Sequence, residues 1–317
     1  MKGRILRRVL SFFMTLFIVS LFVFVSISLA LGDSSSFVLS DEASIVAVES
    51  YKESKGLNDG VLIQYFRFLK SFFSFNWGKT IGGEEIFRVI ITRLPVTLSL
   101  SFYSILFSTL FSSFIVYLSL RKRRFGNGKV ITVLSSVFLV IPSFLTSLLF
   151  VIVFSLWLKL FPVSGYIRVN EGIFRHFRSL FLPSITLSLL HSSIMMRIMY
   201  TTVKESLDMP YTNTALSKGV REKRLIISSA LKPSLPVFFT LVSDSLASAL
   251  GGSCVVENVF ALPGIGSLLV KGALERDANL VSTCVMVVAF LVSFVFLISD
   301  IASELSDPRR RRLHEKA

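Results

Sequence analysis

The chain has 317 residues, 52% of them apolar and only 17% charged, with a formal net charge of +14. Soluble domains carry roughly 25% charged residues, and the 31 phenylalanines exceed what a single soluble core needs. The basic balance invites a nucleic-acid reading, but the positive charge flanks long uncharged runs, so orientation in a membrane explains it better.

The first run, Val9–Leu31, has 23 residues without a charge. It follows Lys2, Arg4, Arg7 and Arg8 and ends in Ser28-Leu29-Ala30, a pattern shared with signal peptides. It is longer than the usual signal core, and its removal would leave five spans, so it is read as a retained anchor. Residues 1–32 form a cytoplasmic tip and first span. Residues 33–95 form an extracytoplasmic segment, polar at first and then amphipathic at VLIQYFRFLKSFFSFNWGK. Leu62, Tyr65, Phe66, Leu69, Phe72 and Phe73 recur there at helical spacing. Such a helix fits the membrane surface or the outer mouth, as a tucked connector or as a docking surface. Gly78, Gly82 and Gly83 mark a loop.

Five further runs follow. Val96–Leu120 has 25 residues, Val130–Leu158 has 29, Ser179–Met196 has 18, and Pro233–Val256 has 24 with Asp244 inside it. Ala278–Ser299 has 22. About 20 apolar residues as a helix cross a hydrocarbon layer of about 30 Å, and a helix satisfies its own backbone there. The fold expected is all-α and polytopic, with six transmembrane helices. Residues 96–306 hold the transmembrane core, and 307–317 form a basic tail.

RKRRFGNGK (Arg121–Lys129) has five basic residues and no acid, and Arg197–Lys232 has seven basic and three acidic. Together with the two basic termini they alternate with the less basic connections, so both termini are expected in the cytoplasm. Inside the loop 197–232, Asp208 is placed to cap a short helix with Pro210 in its first turn. Gly219 is placed to end that helix in the left-handed region. A second helix is expected over Arg221–Leu231. On the other side Glu257–Asp277 contains Pro263-Gly264-Ile265-Gly266, a tight turn in an apolar stretch, expected to form a re-entrant or mouth-capping hairpin.

No catalytic or metal-ligating constellation emerges. There is no P-loop, no HExxH and no GxSxG, and His176, His191 and His314 are scattered. Cys254 and Cys284 lie at like-facing ends of spans, either as a disulfide or as two small buried residues. Asp244 and His191 are the intramembrane ionisable groups and hence candidate path residues; the other reading makes Asp244 a structural partner for His191 or for a helix of another subunit. Gly251 and Gly252 suggest close helix packing. These residues leave a gated path without an energy source, and a polar island at the inner face that is either a solvated connector or a receiver of force.

Asp208-Met209-Pro210-Tyr211, Thr214-Ala215 and Lys218-Gly219, preceded by Arg197 and Glu205, resemble the cytoplasmic EAA-type loop of bacterial binding-protein-dependent ABC transporter permeases. Asn213-Thr214-Ala215 stands in the triplet's place, with Asn213 where glutamate is usual. Val255–Phe260 with Leu262–Gly266, Gln64-Tyr65, Trp77-Gly78, Arg93–Leu98 and Asp307-Pro308-Arg309 extend the likeness along the chain, toward the dipeptide/oligopeptide/nickel family, B-type subunit. The resemblance implies a type I importer permease of the bacterial inner membrane. It also implies a second permease, two ATP-binding subunits carrying ATP-Mg, and an extracytoplasmic binding protein, with no cofactor held and no reaction catalysed by this chain. It implies that Tyr211, Asn213, Thr214, Ala215, Lys218 and Gly219 form a coupling helix, supported by Arg221, Lys223 and Arg224. Two other functions stay open: a self-sufficient secondary transporter or channel using Asp244, and a membrane scaffold that docks an ATPase.

Overall fold

A computed structural model describes residues 2–31, 59–120, 128–220 and 232–306. The expected second helix of the inner loop, with Arg221, Lys223 and Arg224, and the closing Asp307-Pro308-Arg309 lie outside them. Among the described residues there is no strand beyond a lone bridge between Lys79 and Glu85. Among the described residues five helices are long and apolar enough to cross a membrane, and a pair bent by 90° makes up to six when counted as one broken span.

The first span is α1 (Lys2–Leu31), followed by α2 (Val61–Phe73). The second span, α3 (Ile86–Leu120), starts ten residues before the apolar run Val96–Leu120. Its early start has a packing cause: Ile86 and Ile90 are buried with Trp77, Ile265, Leu268 and Leu280. Its 35 residues span about 52 Å at ~1.5 Å each, well beyond the hydrocarbon layer.

The run Val130–Leu158 does not form one straight span. It divides into α4 (Gly128–Val140) and α5 (Ser143–Phe150), which continues as a π-helical turn over Val151–Trp157, with a bend of 90° between the two halves. Pro142 causes the break: it lacks an N–H and excludes the helical conformation from the residue before it. Its own backbone is extended, at φ −59° and ψ 141°. The π turn closes with Leu158 N–H donating to Val153 O at 3.0 Å, and Arg178 donates through Nη2 to Leu160 O at 2.6 Å just beyond.

The weakest apolar run, Ser179–Met196, lies in α6 (Ile173–Asp208), the most buried of the spans. α6 stands at the centre of the bundle and packs most extensively on α3. Ser101, Ser104, Ser108 and Ser112 of α3 are wholly buried, and Ser184, Ser188 and Ser192 of α6 are buried too. Ser112 Oγ donates to Ser192 O at 3.1 Å, and Ser108 Oγ to Met195 Sδ at 3.2 Å. Small side chains let two backbones approach closely, the means by which helices associate where the solvent is itself apolar.

The short helix α7 (Pro210–Ser217) leaves the end of α6, and α8 (Lys232–Gly252) is the fifth span. A hairpin of α9 (Cys254–Val259) and α10 (Ile265–Leu274) leads to the sixth, α11 (Ala278–Ser306). The core is layered along the bundle. Val116, Leu120, Met196, Met199 and Leu207 pack near the basic loops. Leu100, Leu180, Ala249 and Phe260 fill the middle. Trp77, Ile86, Ile265 and Leu280 close the opposite end. Both cysteines are free; Cys284 is buried, as the reading of two small buried residues expects, whereas Cys254 is half-buried.

Candidate coupling loop and translocation face

At the basic face α6 ends at Asp208, and the chain turns through the extended Met209, at φ −63° and ψ 145°. Met209 therefore occupies the capping position expected of Asp208, while Pro210 opens α7 as expected. Asp208 is the last residue of the preceding helix, and its side chain is exposed. Thr212 anchors the turn: it is fully buried, and its Oγ1 donates to Ser206 O at 3.1 Å. Thr214 Oγ1 donates to Pro210 O at 3.1 Å within α7.

The end of α7 is closed by Gly219. Its φ is +79°, and Val220 N–H donates to Ala215 O at 3.2 Å. That bond, from the second residue past the cap back to the last turn, is the Schellman closure a left-handed glycine permits. Thr214, Lys218 and Gly219 are exposed and Ala215 is half-buried. Tyr211 and Asn213 lie on the α7 backbone. Upstream, Arg197 donates through Nη2 to Ser135 Oγ at 3.0 Å, tying α6 to α4.

Within the spans, Asp244 and His191 are kept apart in character. Asp244 is exposed on α8, whereas His191 is 2% exposed in α6 with its Nε2 unpartnered. No hydrogen bond or ion pair joins them among the described residues. Thr240, Asp244, Ser248, Gly251 and Gly252 are all exposed and recur at helical spacing, a stripe of polar and small residues facing away from the bundle. A Cβ added at Gly251 or Gly252 would meet nothing within 4 Å, so these glycines do not serve close packing among the described residues.

At the opposite face the hairpin is built around Glu257, a residue that sequence reasoning did not single out as functional. It is fully buried. Its Oε1 accepts from Thr97 Oγ1 at 2.7 Å and Ser253 Oγ at 2.9 Å, and its Oε2 accepts from Ser267 N–H at 2.8 Å. Thr97 Oγ1 in turn accepts from Ile265 N–H at 2.8 Å. Span two, α9 and α10 thus meet on one carboxylate. A Cβ on Gly264 would lie 2.3 Å from that carboxyl group, and one on Gly266 would lie 2.6 Å from Cys254 Cα. The signal available in sequence was an acid inside an apolar stretch, seven residues before the first glycine of Pro-Gly-x-Gly.

Asp277 clasps the next connection. Its Oδ1 accepts from Leu280 N–H at 2.9 Å and its Oδ2 from Ile81 N–H at 2.8 Å. Asn279 Nδ2 donates to Trp77 O at 2.9 Å. Beside this clasp, Lys79, Glu84, Glu85, Arg88 and Arg93 line a charged cleft of about 550 Å³.

Residues 115–312 match the family described as the binding-protein-dependent transport system inner membrane component. The chain belongs to this family of ABC transporter permeases. Residues 1–101 match the N-terminal part described for the same transport systems. A Brucella abortus protein named for a peptide transport system permease is 32% identical over 98% of this permease and 99% of its own length. A peptide ABC transporter permease protein of Sinorhizobium fredii is 29% identical over 97% and 98%. The nickel import system permease protein NikB of Staphylococcus aureus is 27% identical over 96% and 91%. These relatives place the permease in the dipeptide/oligopeptide/nickel branch, and the family makes it a multi-pass inner-membrane protein.

Proposed function

We propose that this permease is one of two homologous transmembrane subunits of an ATP-driven importer, with peptides as the first candidate solute. Two ATP-binding subunits carrying ATP-Mg would sit at the basic face, and an extracytoplasmic binding protein would deliver solute at the other. Both termini are then cytoplasmic, by the alternation of basic loops. The chain itself binds no cofactor in this reading and supplies no catalytic residue.

The observation that carries the reading is α7. It is a short helix opened by Pro210 and closed by Gly219, rooted by the buried Thr212 under α6 and presenting Thr214, Lys218 and Gly219 outward on the basic face. A solvated connector has no need of a glycine-closed helix fixed to a central span. Tyr211, Asn213 and Ala215 complete this docking helix, with Arg221, Lys223 and Arg224 as supporting contacts. A push on α7 acts directly on α6, the span at the centre of the bundle.

Asp244 supports the second permease. A charged side chain at a helix centre facing lipid costs about 2.5–3.5 kcal/mol or more, so the stripe around it calls for a water-filled path shared with a partner. His191, packed inside, is kept as a path residue only through a change in the α6 packing. The charged cleft at Lys79, Arg88 and Arg93 suits a soluble protein approaching the opposite face.

The test is uptake of a labelled peptide by cells or vesicles holding the whole transporter. Gly219→Pro and Ala215→Asp are each expected to abolish uptake while the protein stays in the membrane at normal level. Full transport by either variant removes the coupling role. Proton-driven uptake by this chain alone in liposomes would establish instead the self-sufficient transporter built on Asp244. Unchanged solute accumulation after deletion of the chain would favour a scaffold.

A further inference from the structure

Helix α2 divides its surface three ways. Leu62, Phe66, Leu69 and Phe73 recur at intervals of four, three and four and so share one face; Leu62, Phe66 and Phe73 are 71%, 65% and 57% exposed. Tyr65 borders that face, beside Leu69, and turns into the protein. It is 3% exposed, its hydroxyl lies 2.7 Å from Ser20 Oγ of α1, and its ring packs on Phe17 and Phe24. Gln64, Arg67 and Lys70 occupy the third side, with the exposed Ile63 among them, and Arg67 pairs with Asp59.

The contact with α1 sets the depth of this helix. Arg8 of α1 pairs with Asp300 of α11 at 2.7 Å, where both helices reach the basic face. Ser20 lies twelve residues along α1 from Arg8, about 18 Å at ~1.5 Å per residue, and Phe24 about 24 Å. Both distances fall short of the roughly 30 Å hydrocarbon thickness. With Arg8 at the near boundary, the residues of α2 that touch Ser20 and Phe24 stand below the far boundary of the hydrocarbon. Phe13, Phe17 and Phe22 of α1 are exposed, so α2 continues an apolar surface already turned to lipid. Trp77 follows four residues after α2, buried, with its indole N–H donating to Phe72 O at 3.0 Å, and so ties the end of α2 to the bundle.

We propose that α2 is an interfacial helix embedded in the leaflet away from Arg8. Leu62, Phe66, Leu69 and Phe73 lie against lipid acyl chains, and Gln64, Arg67 and Lys70 face the head groups and water. The arrangement anchors the beginning of span two from the side, through Trp77 and Phe87, whose rings meet at 5.2 Å. It rests on the multi-pass topology alone. It holds whichever face is cytoplasmic, and it stands or falls apart from the coupling role of α7.

The experiment uses the full chain with Cys254→Ala and Cys284→Ala, reconstituted in phosphatidylethanolamine and phosphatidylglycerol vesicles. A nitroxide is attached in turn at Leu62→Cys, Phe66→Cys and Lys70→Cys, and its relaxation by oxygen and by a water-soluble chromium complex is measured. Oxygen is expected to exceed the chromium complex several-fold at positions 62 and 66, with the order reversed at 70, and a depth of about 5–10 Å is expected for the apolar face. Chromium dominating at 62 and 66 overturns the proposal, as does protection from both agents, which would mean that another protein surface covers the face. Phe66→Trp in the unmodified chain gives an independent reading. Its added fluorescence should be quenched by brominated acyl chains and spared by iodide; the opposite result sinks the proposal.

Discussion

Glu257 accepts three hydrogen bonds in a buried site with no ion pair to it among the described residues. A carboxyl group out of water is tolerated only when its hydrogen-bonding capacity is met, and here hydroxyls of Thr97 and Ser253 and the Ser267 N–H meet it. Removing the acceptor strands those donors, at about 1–3 kcal/mol for each buried group left unpaired. Glu257→Ala should therefore lower the melting temperature of the detergent-solubilised permease clearly. Gly264→Ala should do so as well, because the added methyl enters the carboxyl group's space. A melting curve for either variant that overlays the parent's would refute the network's structural role. The sequence showed Pro263-Gly264-Ile265-Gly266 as a turn. That the turn closes on Glu257 was not legible, because the partner Thr97 lies 160 positions away.

Among the helices, the serine seam between α3 and α6 tolerates little. Ser108→Leu inserts a larger, branched side chain into a contact already closed by Met195, and overpacking of this kind costs about 1–3 kcal/mol. Ser108→Ala removes only one weak hydrogen bond to a sulfur, so it should leave the melting temperature nearly unchanged while Ser108→Leu lowers it. Equal stability of the two would show that the seam is loose. In α7 the positive φ of Gly219 sets a different order. Asn tolerates the left-handed region better than a β-branched residue, so uptake should fall from Gly219 to Gly219→Asn and further to Gly219→Val. Uptake indifferent to that series would separate the helix end from transport. The helix itself was readable from Pro210 and Gly219. The break in the third span was not, although Pro142 was visible, because proline bends some spans and is absorbed by others according to the neighbouring packing.

The whole permease is held at both faces by short clasps. Arg8 and Asp300 join the first and last spans at the basic face, and Asp277 and Asn279 hold the 77–81 connection at the other. The alternation of charge predicts which face is which. In a background without native cysteines, Thr80→Cys should react with an impermeant maleimide added to intact cells, and Lys218→Cys only after the membrane is opened. The reverse pattern would invert the proposed orientation and with it the site of ATPase docking. The exposed stripe of Thr240, Asp244, Ser248, Gly251 and Gly252 lies on the side where the second permease is proposed to sit.

The class of the protein was legible from length and hydropathy, because each span must be apolar enough to enter lipid and each basic loop remains on one side. The short helix α7 was legible because its boundaries are local, set by Pro210 and by Gly219 about two turns further on. The spans' true lengths and burial depended on packing. α6 read as the weakest run since its neighbours, not lipid, surround it, and α3 began early since its first turns cover the α9–α10 hairpin. Asp244 and His191 looked alike in sequence, as two ionisable groups in spans. Only helix rotation in the bundle separated them, turning Asp244 out to an open face and His191 in among its neighbours.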